Sequence, residues 1–196
     1  NPGTVDKNKI NIYRALGINR VSIGLQAWQD DLLRTIGRIH KREDFLKSYE
    51  LFRQSGFNNI NVDLMFSLPG QSMDMWIETL ENVCGLGAEH ISSYSMIVEE
   101  GTPMHRLINS GKLQIPDEDT DRDMYRAAKA VLNSHGLMQY EISNFAEEGF
   151  ECAHNLIYWN NGEYLGIGAG SHSKIRDKRF WNYSGLDEYV DAVKAG

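Results

Sequence analysis

Residues His154 to Ser173, "HNLIYWNNGEYLGIGAGSHS", place two histidines, three aromatic residues and four glycines within twenty positions. Histidine is a metal ligand or a proton carrier near neutral pH. Tyrosine and tryptophan offer flat apolar faces with one polar edge, and glycine lets a backbone approach a ligand closely. Gly166, Gly168 and Gly170 invite a dinucleotide reading, but the GxGxxG pattern fails because Ser171 stands three positions after Gly168. The acidic partner expected about 20 residues further on is ambiguous as well. Backbone approach to some ligand is the better reading of these glycines.

Three further residues could bind. Asp63 lies in the apolar stretch "NVDLMF" between Val62 and Leu64. A carboxylate there is costly unless it accepts hydrogen bonds, so it either holds a ligand or makes a structural bond. Gln26 ends the run "VSIGLQ", and Arg38 sits in "IGRIH". Taken alone, each reads equally well as a surface residue. Leu68-Pro69-Gly70 reads as a turn, with proline fixing φ and glycine allowing it to be positive.

The elements that must position these residues follow a repeating pattern. A helix ends at a glycine, two or three residues follow, and a β-branched run begins: "YRALG-INR-VSIGLQ", "LFRQSG-FNN-INVDLMF", "ENVCGLG-AEH-ISSYSMIV" and "VLNSHG-LMQ-YEISNF". Gly17, Gly56, Gly87 and Gly136 occupy the position after a helix that favours the left-handed conformation. Short helix-to-strand loops, with a helix between successive strands, mean parallel β/α units. Val21 to Leu25 and Ile60 to Met65 read as strands buried on both faces. Helices are expected over Arg42 to Ser55, Met73 to Val83 and Asp117 to Ser134, the last with "DEDTDRD" as a solvated face.

In such architecture the working face lies beyond the C-terminal ends of the strands. That rule selects Gln26, "SLPG", Ile97 to Glu99, and Glu141 to Asn144. Four strands do not close a (β/α)8 barrel, and the first helix, Val5 to Leu16, lacks a strand before it. The expected fold is therefore the second part of a barrel-like α/β domain with mostly parallel strands. Residues 1–136 would form the barrel part, and residues 137–196 a capping extension with an added C-terminal strand and loop region.

Composition narrows the function classes. The 196 residues are 41% hydrophobic and 24% charged, ordinary for a globular domain. A net charge of -7 argues against a nucleic-acid surface. No apolar run approaches the roughly 20 residues of a membrane helix. The opening "NPGTVDKNK" carries no signal-peptide pattern and reads as the start of a fragment. Two lone cysteines, Cys84 and Cys152, make no disulfide framework, which suits a reducing cytoplasm. By themselves they hold neither an iron–sulfur cluster nor a zinc ion.

The motifs "NPGT", "NRVSIGLQ", "GRIH", "NINVDLMFSLPGQ", "HISSYSM", "EEGTP", "YEISNFA", "HNLIYW" and "EYLGIGAGSHS" occur in order over nearly the whole chain. Together they resemble the radical S-adenosylmethionine (SAM) family of oxygen-independent coproporphyrinogen III oxidases, and within it the HemW-type branch described as heme chaperones. The resemblance implies an open TIM-like (β/α)6 barrel with SAM and a [4Fe–4S] cluster as cofactors. The family's cluster-binding CxxxCxxC loop has no counterpart in this chain. By the same resemblance Gln26, Arg38, Asp63 and Ile97 contact SAM, and so does His172, where the oxidase branch differs. A SAM carboxylate suits a guanidinium fork, and a ribose diol suits a carboxylate or amide acceptor.

The "HNxxYW" motif of that branch is linked to heme binding. It implies His154 as an iron ligand, with Tyr158 and Trp159 against the macrocycle. The competing reading has His154 and Asn155 fixing a loop while Tyr158 and Trp159 plug the open barrel. The implied function is a heme-binding chaperone that delivers heme to acceptor proteins, with SAM cleavage open. The alternative is an oxidase that decarboxylates coproporphyrinogen III through a 5′-deoxyadenosyl radical; "HNLIYW" favours the chaperone. An unrelated sugar-phosphate barrel enzyme would need a phosphate-cradling loop, which the chain lacks.

Overall fold

The computed structural model describes residues 1–195. Two compact units are present, one over Asn1–Glu151 and one beginning at Cys152.

In the first unit, β1 (Val21–Gln26), β2 (Ile60–Phe66) and β3 (His90–Ser95) pair in parallel, in that order. Helices α1 (Lys7–Ala15), α2 (Asp30–Thr35), α3 (Arg42–Gln54), α4 (Met73–Cys84), α5 (Pro103–Asn109) and α6 (Glu118–Ser134) fill the connections. Local chemistry sets their ends. Asp6, Ser72 and Asp117 cap α1, α4 and α6 by accepting a hydrogen bond from the backbone N–H three residues on. Gly17, Gly56, Gly87 and Gly136 follow helices at φ of 81°, 81°, 68° and 82°, as their spacing predicts.

The strands are not apolar on both faces, which corrects the expectation for Val21–Leu25 and Ile60–Met65. They alternate. Ile23, Leu25, Ile60, Val62, Leu64, Phe66 and Ile91 enter a core with Phe45, Phe52, Trp76, Leu80 and Met124. Ser22, Asn61, Asp63, His90 and Ser92, at the intervening positions, bond to one another instead. "VSIGLQ" and "INVDLM" carry a small or polar residue at most second positions, so one face packs on helices and the other stays polar.

The fourth repeat departs from a parallel unit. Its strand is a two-residue β4 (Met138–Gln139), and the chain reverses over residues 140–143 into β5 (Asn144–Ala146). β5 lies antiparallel to β3 with Ser92 opposite Asn144, and β4 pairs outside it. Glu141 stabilises the reversal, because its carboxylate accepts the Ser143 N–H at 3.1 Å and the Asn144 amide. Phe145 then fills a core position. Glu141 to Asn144 is thus a hairpin turn, not the end of a parallel strand. The hairpin completes the main sheet, so the first unit runs on to Glu151 rather than ending at residue 136.

The second unit holds α7 (Ala153–Trp159), the antiparallel hairpin β6 (His172–Ile175) and β7 (Lys178–Trp181), and α8 (Leu186–Ala195). "HNLIYW" is helical, so His154 sits on a helix. Among the described residues no helix is long and apolar enough to cross a membrane.

Trp76 anchors α4 against the sheet. It is fully buried, its Nε1–H donates to the Met124 carbonyl at 2.8 Å, and its ring lies 5.6 Å from that of Phe66. Trp76→Ala should destabilise the fold by about 3–5 kcal/mol, the range for large aromatic truncations in cores. Urea unfolding of the two proteins side by side measures this.

Candidate functional site

The ends of β1 and β2 hold the most unusual backbone in the first unit. Gln26, the last residue of β1, has φ of 76°, and Ser67, the residue after β2, has φ of 58°. Neither is glycine, and such conformations cost on the order of 1–2 kcal/mol. The β1–β2 register also slips here: Gly24 lies opposite Asp63, but Gln26 lies opposite Leu64. This bulge turns the buried Gln26 side chain back over its own strand. A Cβ placed on Gly24 would lie 2.5 Å from Gln26 Nε2 and 3.9 Å from Asp63 Oδ2. The absence of a side chain at Gly24 therefore lets the Gln26 amide lie against the strand, beside the Asp63 carboxylate.

Asp63 is half-buried and oriented by two donors. Its Oδ1 accepts from Asn61 Nδ2 at 2.7 Å, and its Oδ2 accepts from Ser22 Oγ at 2.8 Å. Asn61 in turn faces His90, with 2.6 Å between Oδ1 and Nδ1; the other ring nitrogen of His90 lies 2.8 Å from the Tyr140 hydroxyl. His90 is fully buried. Burial first, and the Arg20 charge second, push its pKa down from 6.5 to about 3. Of these residues, sequence reasoning found only Asp63. The signal for the others was the alternation in "INVD" and "HISS".

The remaining expected residues divide between the units. Arg38 is half-buried in the turn after α2, and among the described residues its guanidinium has no ion-pair partner. Two residues on, His40 Nε2 lies 3.3 Å from the Leu25 carbonyl, which ties that turn to the end of β1. Ile97 follows β3 and is 77% exposed. Asp121 corrects the reading of "DEDTDRD" as wholly solvated, since its carboxylate accepts from the hydroxyls of Ser67 and Ser95.

In the second unit His154 and Tyr158 stand one turn apart on α7, rings edge-on at 4.8 Å. Tyr158 also meets Tyr164 at 4.5 Å. All of His154, Tyr158 and Trp159 are exposed. His172 lies on β6 against Trp181, 6.0 Å between rings, beside a cavity of about 440 Å³ shared with Asn182, Tyr183 and Glu188.

Among the described residues no group of three or more histidine, cysteine or acidic side chains could hold a metal ion. Burial, with Glu81 adding to it, pushes the Cys84 thiol up to about 11, far from the thiolate that ligates iron.

Known proteins are similar to this chain. The family model for the radical SAM superfamily matches residues 1–83. Heme chaperone HemW of Bacillus subtilis is 42% identical over 193 residues, covering 98% of this chain and 51% of that protein. The chain belongs to the radical SAM superfamily. Heme chaperone HemW of Lactococcus lactis is similar as well, at 37% identity over 98% of this chain and 51% of that protein. The chain thus spans about half the length of the curated relatives it matches. The solved structure of coproporphyrinogen III oxidase HemN from Escherichia coli, a radical SAM enzyme, superposes with a TM-score of 0.79. It does so over 99% of this chain and 47% of that one at 21% identity, which shows the radical SAM barrel fold. The partial, mostly parallel barrel expected from the sequence is borne out.

The depressed pKa of His90 sets a pH dependence with a definite sign. Between pH 6.5 and about 3 the unfolded histidine binds a proton that the folded one refuses. Stability falls as pH drops through that window, by up to about 1.4 kcal/mol per pH unit from this group. Comparing unfolding free energies at pH 7 and pH 5 for the wild type and His90→Gln isolates the effect; the variant should show a shallower slope.

Proposed function

We propose that this chain is the SAM-cradling part of a radical SAM barrel within a heme-binding chaperone that delivers heme to acceptor proteins. The observation that carries the SAM half of the reading is that the Gln26 amide and the Asp63 carboxylate lie side by side next to Gly24. Ribose hydroxyls can donate to the Asp63 carboxylate and accept from the Gln26 amide Nε2. The unpaired Arg38 guanidinium suits the methionyl carboxylate. Exposed Ile97 offers an apolar contact to the adenine. When bound, SAM supplies an activated sulfonium for radical chemistry. The chain's own residues bind and orient it. The [4Fe–4S] cluster is a different matter: Cys84 and Cys152 do not form a ligand set for it, so no step through the cluster is assigned to these residues. Two free cysteines suit a reducing, cytoplasmic setting.

For heme as cargo, α7 presents an imidazole and two exposed aromatic rings within two helical turns. His154 is the proposed iron ligand, with Tyr158 and Trp159 packing on the porphyrin face. The relatives described as heme chaperones support this assignment.

Two experiments on the full-length protein test the halves separately. By calorimetry, Asp63→Ala should weaken SAM binding by about 1–3 kcal/mol, the scale of a lost hydrogen bond to a charged group. Hemin titration should give a saturable, shifted Soret band that His154→Ala weakens or shifts and His172→Ala leaves intact. Unchanged hemin binding in His154→Ala, together with decarboxylation of coproporphyrinogen, would reverse the chaperone reading in favour of an oxidase.

A further inference from the structure

The hydrogen-bond polarity of the polar face can be assigned atom by atom, starting from Asp63. A carboxylate accepts only, so Asn61 must turn its Nδ2 toward Asp63 Oδ1, 2.7 Å away, and toward Ser22 Oγ at 2.8 Å. That leaves Asn61 Oδ1 facing His90 Nδ1 at 2.6 Å. An amide oxygen accepts only, so Nδ1 carries the proton. Nε2 is then bare and accepts from the Tyr140 hydroxyl at 2.8 Å.

Ser92 cannot take over from His90. Its Oγ lies 3.1 Å from Asn61 Oδ1 but 2.6 Å from Asn144 Oδ1, and it has one proton to give. The Asn144 amide nitrogen is committed to Glu141, so the oxygen of Asn144 is the end that faces Ser92. Asn61 Oδ1 therefore depends on His90.

We propose that His90 is a positioning residue: its Nδ1–H, fixed by the Tyr140 hydroxyl on the far side of the ring, locks the Asn61 amide and thereby aims the Asp63 carboxylate at the ribose hydroxyls of the bound cofactor. This rests on the SAM reading above. Without the His90 donor, Asn61 Oδ1 loses its partner, and the amide is fixed only at its Nδ2 end, by Asp63 and Ser22. With its oxygen end released, the amide can tilt, and the Asp63 carboxylate that it holds loses its fixed direction. The depressed pKa of His90 is consistent with a neutral ring in a single tautomer.

A purely structural histidine would affect all ligands alike, whereas a positioning one acts through the ribose. The test measures calorimetric affinities of the full-length protein for SAM and for its 2′,3′-dideoxyribosyl analogue. In the wild type, removal of the two hydroxyls should weaken binding about tenfold or more, as for a lost bond to a charged acceptor. In His90→Leu that ratio should collapse toward one, and in His90→Gln, whose amide N–H can donate to Asn61, it should recover. Tyr140→Phe, which leaves the ring in place but removes the donor to Nε2, should also reduce the ratio, and keeps the test intact if His90→Leu does not fold. A wild-type ratio preserved in His90→Leu, or in Tyr140→Phe where that is the variant that folds, overturns the positioning role while leaving the SAM reading standing. A wild type that binds both ligands equally overturns the ribose placement of Asp63 itself, and the positioning role with it.

Discussion

A buried carboxamide with donors on one side and acceptors on the other has a single orientation that satisfies all of them, and Asn61 is held in it. Its nitrogen serves Ser22 on β1 and Asp63 on its own strand, while its oxygen faces His90 on β3. The bonds run on through Ser92 to Asn144 on β5. One side chain thus links the polar faces of three adjacent strands, and a fourth joins through Ser92. Leaving any of these groups buried without a partner would cost about 1–3 kcal/mol. The polar face is stable only as a connected whole.

That constraint explains why the sheet carries helices on one face only. The apolar positions of β1, β2 and β3 pack on α3, α4 and α6 around Trp76, Phe45 and Met124. The polar positions bond to one another instead. Gly24 leaves room for the Gln26 amide beside Asp63, and Gln26 and Ser67 adopt left-handed backbone at the ends of adjacent strands. Asp121 secures the outer end of the site by accepting from Ser67 and Ser95. At the opposite end, Arg53 on α3 pairs with Glu89 at 2.6 Å, and Glu89 accepts the Ile60 N–H at 3.0 Å where β2 begins. The two ends of the strands are therefore held by separate polar clamps.

Much of this was legible in the sequence, for local reasons. Apolar periodicity marks the helices, and the four glycines after helices announce the strands that follow. Gln26 and Asp63 could be paired because parallel topology puts successive strand ends on one side. What escaped depends on partners distant in sequence. His90 looks like an ordinary strand residue until Asn61 and Tyr140 are brought beside it from 29 and 50 residues away. "YEISNF" has the composition of a strand, yet Glu141 bends it into a hairpin. Asp121 sits in a run of acids typical of solvated helix faces, and only the proximity of β2 and β3 gives it two hydroxyl partners. "HNLIYW" carries aromatic residues without a capping signal, since Cys152 makes no side-chain cap, and its helix was not legible for that reason.

The central claim is that the ribose of SAM binds at the paired Gln26 amide and Asp63 carboxylate beside Gly24. The most direct measurement is an anaerobic crystal structure of the full-length protein with SAM bound. The account predicts ribose hydroxyls within hydrogen-bond distance of the Asp63 carboxylate and the Gln26 amide, with Asn61 still bonded to His90. A ribose bound elsewhere, with Asp63 bonded only to Asn61 and Ser22, would contradict it.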